Sequence, residues 1–205
     1  MRRIIHNEFS INGYQMLKEE EGIAYYKNSM FDDFWIACYK PFLLENQSDL
    51  YEHYLALFAT EYPTIKKNTS IVIIESGSPK SIEEIVAIEN DPYLFKKYYI
   101  SYNERAVEDL MALLTKDDKT MRSIEELMVK PETFTAMKNE TEDVVYHLLY
   151  SIAHKLPFLP VEVNHEEVAS TELQIDDEQR NCLEWCMGLS DDVDVRRTQI
   201  IQFSK

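Results

Sequence analysis

Glycine is scarce in this chain, with four in 205 residues, at positions 13, 22, 77 and 188. No two of them lie close enough to build a phosphate-cradling loop or a dinucleotide fingerprint, so no nucleotide cofactor is expected. Seven prolines are too few for a collagen-like or linker-like chain. Cysteine is limited to Cys38, Cys182 and Cys186, an odd number without disulfide-framework spacing, which suits a reducing cytosol. The longest apolar runs, such as "IVII" at 71–74, fall far short of the ~20 residues a membrane-spanning helix needs. The opening "MRRIIHNEFS" carries positive charge with no apolar stretch behind it, and does not read as a signal peptide. A cytoplasmic protein without membrane contact is expected.

Basic residues are the most informative shortage. Lys and Arg number 21 against 37 Asp and Glu, for a formal net charge of −16. Phosphate backbones repel such a chain, and counterion release on DNA would gain it nothing. Direct, sequence-specific nucleic-acid binding is therefore not expected. Apolar and aromatic residues, by contrast, are plentiful. At 45% hydrophobic and 12% aromatic the chain can bury one substantial core.

Pattern along the chain predicts an α+β fold, with a small mixed or antiparallel sheet of about four strands packed with helices. "YQMLKEEEG" reads as a short helix closed by Gly22. "IAYYKN" and "FWIACYK" read as a hairpin joined by "SMFDD". A helix is expected at about 48–60, capped by Ser48 or Asp49, with Leu50, Tyr54, Leu57 and Phe58 on one stripe. "TSIVIIES" at 69–76 is the clearest buried strand. Ser81 and Glu84 form a capping box for the next helix, Asp91-Pro92 restarts helical turns, and "YYIS" resumes extended structure. Helices at about 103–115, 121–129, 131–138 and 141–154 make the second half helical. Residues 1–163 form the compact domain in this reading. Residues 164–205 are an acidic extension carrying one short amphipathic helix. Between 162 and 194 there are eleven Asp or Glu and one basic residue, Arg180.

Candidate sites are few. Cys182 and Cys186 lie four apart on that short helix, but structural zinc takes about four ligands, and only His165 is near. With Trp185 and Leu189 on the same stripe, apolar packing or a partner anchor is the better reading. His147 and His154 share a helix face, with Asp143 one turn before His147, and no nucleophile is signalled nearby. No metal site and no catalytic residue are assigned. "NDPYLFKKYYISYNE" at 90–104 sets Lys96 and Lys97 among five aromatic rings, with Lys66-Lys67 as a second basic pair. A contact patch is one reading. The other puts Tyr93, Phe95 and Tyr99 in the core with the lysines reaching outward, contributing at most to a rim.

Three stretches, "EGIAYYKNSMFDDFWIAC", "ENDPYLFKKYYISYN" and "HKLPFLPVEV", resemble the middle-component proteins of bacterial ABC-three-component, Lamassu-like defence systems. The resemblance runs over roughly residues 10–163, including "KKNTSIVII", and leaves the acidic tail uncovered. It implies a small α+β accessory subunit, and no catalytic residue carries over from it to the positions matched here. Such a subunit would bridge an SMC-like ABC ATPase to an effector, such as a nuclease. The charge of −16 leaves an acidic stand-alone inhibitor of a basic nuclease, an immunity protein or DNA mimic, as the alternative.

Overall fold

Four segments of this chain are rich in β-branched and aromatic residues, and together with the charged stretch at 14–20 they pair into one sheet. A computed structural model describes residues 1–77, 80–117, 120–129 and 144–159. The strands are β1 (Tyr14–Glu20), β2 (Ile23–Asn28), β3 (Phe34–Cys38), β4 (Thr69–Ser76) and β5 (Lys96–Tyr102), in that spatial order. β1, β2 and β3 run antiparallel, and β3, β4 and β5 run parallel, so the sheet is mixed.

The parallel connections need crossovers, and helices α2 (Gln47–Phe58) and α3 (Ile82–Glu89) supply them. Successive strand residues point to opposite faces, and both faces are covered. Ala24, Tyr26, Trp35, Ala37, Val72, Ile74 and Ile100 pack with α1 (Arg2–Ile11), α4 (Glu104–Leu114), α5 (Ile124–Met128) and α6 (Val144–Lys155). Ile23, Tyr25, Phe34, Ile36, Cys38, Ile71, Ile73 and Tyr99 pack with Tyr54 and Phe58 of α2 and Ile88 of α3. This two-sided burial explains why the strands lack a clean apolar–polar alternation. A two-stranded ribbon, β6 (Thr115–Asp117) with β7 (Thr120–Met121), follows α4.

Several expectations are corrected. "YQMLKEEEG" is no helix but the edge strand β1, and Gly22 closes a hairpin instead of a helix. Glu20 pairs with Ile23, and the two residues between them, Glu21 and Gly22, have φ of 47° and 80°. Positive φ at both turn positions is what a tight hairpin with right-twisted strands requires. The helix stands upstream, where Ile4, Ile5, Glu8 and Phe9 form a buried stripe at helical spacing. Asn46, not Ser48 or Asp49, occupies the start of α2, and makes no side-chain cap. Asp91-Pro92 begins no helix: residues 91–95 are a loop with Leu94 at φ 65°. The capping box is present, with Glu84 N–H donating to Ser81 Oγ at 3.2 Å and Ser81 N–H to Glu84 Oε2 at 2.8 Å. The helix expected over 131–138 and the acidic extension lie outside the described residues, as does the proposed boundary at 163/164. No helix among the described residues is long and apolar enough to cross a membrane.

Candidate functional site

The lysine pair of the aromatic stretch divides, because extended structure begins at Lys96 rather than at Tyr98. Neighbouring strand residues face opposite ways, so only one lysine reaches solvent. Lys97 is 2% exposed. Its ammonium donates to Asp91 Oδ1 at 2.6 Å, to the carbonyls of Tyr93 at 2.6 Å and Phe95 at 3.1 Å, and to the Asp91 carbonyl at 3.3 Å. The loop thus folds around its own cation, and the Lys97 ammonium beside Asp91 lowers that carboxyl's pKa. Lys97 belongs to the scaffold and not to a contact rim. Lys96 is exposed, with its ammonium 5.3 Å from the centre of the Tyr98 ring.

Lys96 and Lys67 line one cavity of about 720 Å³ at the N-terminal ends of β4 and β5. Asp32, Asp33, Glu89 and Asp91 line it too. Four carboxylates outnumber two ammonium groups there, so the lysines form no basic patch for a nucleic acid strand. Among the rings, Phe95 and Tyr99 are buried, at 4% and 3% exposure, while Tyr93 is 67% exposed and does not fill the core. Tyr99 is tied down at both ends. Its N–H donates to Glu89 Oε1 at 2.8 Å and its hydroxyl to Glu75 Oε2 at 2.8 Å. Burial, then the Glu75 carboxylate, pushes the Tyr99 hydroxyl well above its usual pKa.

His147 lies on α6 and lines a separate cavity of about 340 Å³, with Gly77, Ser101, Tyr102, Asn103 and Ser151. His154 stacks on Tyr150, ring centres 5.8 Å apart. Asp143 lies outside the described residues, as do Cys182, Trp185, Cys186 and Leu189. Among the described residues no group of three or more His, Cys, Asp or Glu is placed to hold a metal ion. Cys38 is buried, its thiol donates to the Lys40 carbonyl at 3.4 Å, and burial raises its pKa.

A third cavity, of about 490 Å³, was not legible in the sequence. It lies between the β1–β2 turn, the end of β3 and the first turns of α2, with Tyr25, Cys38, Phe42 and Leu50 among its walls. These residues come from three separate stretches, 20–25, 38–43 and 46–53, and no spacing rule connects them. The outer surface carries exposed apolar side chains at Met30 and Phe31 of the β2–β3 loop, at Ile82 and Val86 of α3, and at Tyr93.

Comparison with known proteins adds one relation. No curated protein and no solved structure matches the chain. Residues 32–127, from the β2–β3 loop through α5 and so the whole parallel half of the sheet, match the model of the family described as ABC-three component (ABC-3C) system Middle Component 1.

Proposed function

We propose that the chain is the middle component of an ABC-three-component anti-phage defence system, acting as a non-enzymatic, cytoplasmic accessory subunit. It bridges an SMC-like ABC ATPase to an effector protein such as a nuclease, in the manner of the Lamassu-like systems. The match of residues 32–127 to the middle-component family carries this reading. The exposed apolar side chains at Met30, Phe31, Ile82 and Val86 support it, since a subunit that works by contact needs apolar anchors at its surface. The compact domain, residues 1–163, supplies the scaffold, and the extension at 164–205 offers Cys182, Trp185, Cys186 and Leu189 to a partner. Lys96 adds a charge at a rim.

Trp185→Ala tests the anchor. Co-expressed with the products of neighbouring genes, the tagged wild-type chain retains a large ATPase. The variant retains it at least about tenfold less, because truncating an aromatic anchor typically costs 2 kcal/mol or more, and its thermal midpoint is unchanged. A lowered midpoint in the isolated variant makes Trp185 a core residue and removes it as the anchor. The charge of −16 favours a second reading, an acidic inhibitor acting alone. Tight, salt-sensitive capture of a basic nuclease with no ATPase present selects that reading.

A further inference from the structure

The 490 Å³ cavity holds a buried hydrogen-bond donor without a partner. Tyr25 is 0% exposed, its ring stacked on Tyr54 with centres 5.6 Å apart, and its hydroxyl makes no hydrogen bond among the described residues. An unpaired buried hydroxyl is costly in a core, and such a group calls for an explanation. Tyr25 lines the cavity together with Glu20, Glu21 and Cys38, the groups that act on its hydroxyl, so the hydroxyl end of the ring stands at the cavity wall. Burial first, and then Glu20, raise the Tyr25 pKa, which keeps the group an O–H donor at any physiological pH.

The cavity has the build of a small-molecule site, with apolar walls and a few polar groups at defined places. Ile23, Phe42 and Leu50 make the walls. At the mouth, Glu20 is already paired with Lys18 at 2.5 Å and with His53 at 2.6 Å. Glu21 and Asp49 have no ion-pair partner among the described residues, and Lys40 is the one further cation lining the cavity. The unspent charge at the mouth is therefore negative, within a chain of net charge −16.

We infer that this cavity binds a small organic cation with an apolar body. Its body lies against Ile23, Phe42 and Leu50, its ammonium group sits at the mouth near Glu21 and Asp49, and an acceptor atom takes the Tyr25 hydroxyl. The hydroxyl is screened from solvent as the cavity stands, so the acceptor reaches it by displacing a wall side chain. Glu21, exposed on the turn and without an ion-pair partner among the described residues, is free to swing.

Three probes of similar size separate the contributions: 4-acetylbenzylamine, with acceptor and cation; 4-isopropylbenzylamine, its isostere without the acceptor; and 4-acetylbenzoate, with the charge reversed. Calorimetric titration of the full chain is expected to give a Kd on the order of 1 mM for the first, as befits a fragment of about ten heavy atoms. The second binds about fivefold weaker and the third at least tenfold weaker. Tyr25→Phe, which removes only the orphan hydroxyl, weakens the first probe about fivefold and leaves the second unchanged. Asp49→Asn, at an exposed position, weakens both amines about threefold. No heat from the first probe up to about 10 mM, equal binding of amine and carboxylate, or an unaltered affinity in Tyr25→Phe would each overturn the proposal.

Discussion

Lys97 and Glu8 are two buried ionisable residues whose surroundings decide opposite outcomes. Lys97 has an aspartate and three carbonyls around its ammonium, and it organises the loop at 91–95. Lys97→Met leaves those groups without their cation. Unfolding in denaturant is expected to show a loss of about 2–4 kcal/mol. Lys96→Ala, one residue away on the solvent side, stays within about 0.5 kcal/mol of wild type. Equal effects of the two substitutions would refute this division of the pair.

Glu8 has no such partner. One carboxylate oxygen accepts from the Ile124 N–H at 3.1 Å and the Asn7 amide at 3.3 Å, and the other has no hydrogen bond among the described residues. Burial, against these two hydrogen bonds and aided by the nearby Glu125 and Glu126, raises its pKa to about 7. The folded chain thus keeps a proton that the unfolded chain releases near the ordinary glutamate value of 4.5. The stability associated with that proton is present in full below the unfolded pKa and is lost as pH rises toward 7. Glu8→Gln, neutral at every pH, is expected to gain on wild type across this window, by on the order of 2 kcal/mol at pH 8 and little at pH 4.5. A gain independent of pH would show that Glu8 is not protonated in the folded chain.

Among the elements, the edge strand β5 shows how the helical layers fix the sheet. Glu89, at the end of α3, accepts the Tyr99 N–H at the sheet edge and is gripped by Lys155 of α6, whose ammonium lies 2.6 Å from both carboxylate oxygens. Covering an edge N–H in this way also blocks strand addition there. Glu89→Ala removes the cap and the ion pair together, and is expected to cost about 1–2 kcal/mol and to speed hydrogen exchange at Tyr99.

Elements that bury two faces were readable from sequence. "IAYYKN", "FWIAC" and "TSIVIIES" are too rich in β-branched and aromatic residues to be anything else, and the Ser81–Glu84 box announced α3. "YQMLKEE" was not readable as a strand, because an edge strand with an open face carries charged, helix-favouring residues whose state is set by pairing with β2. The α1 stripe was present in "RRIIHNEFSI" but stood in a stretch read only for targeting signals. The Lys97 cage follows from β5 starting at Lys96, two residues before Tyr98, which no composition rule resolves. The cavity around Tyr25 is assembled by tertiary contact alone.

At the scale of the whole molecule, the central claim is that this acidic α+β protein works by joining two others. Helices cover both faces of its sheet, Lys97 is buried, Lys67 and Lys96 are outnumbered by carboxylates, and its most exposed apolar side chains include Met30, Phe31 and Ile82. The most direct test is the mass, by light scattering, of the complex purified after co-expression with the neighbouring gene products. The account predicts one stable species containing this chain, a large ATPase and an effector, which falls apart into separate ATPase and effector when this chain is omitted. A monomer of 24.2 kDa, or a complex with a basic nuclease alone, would contradict it.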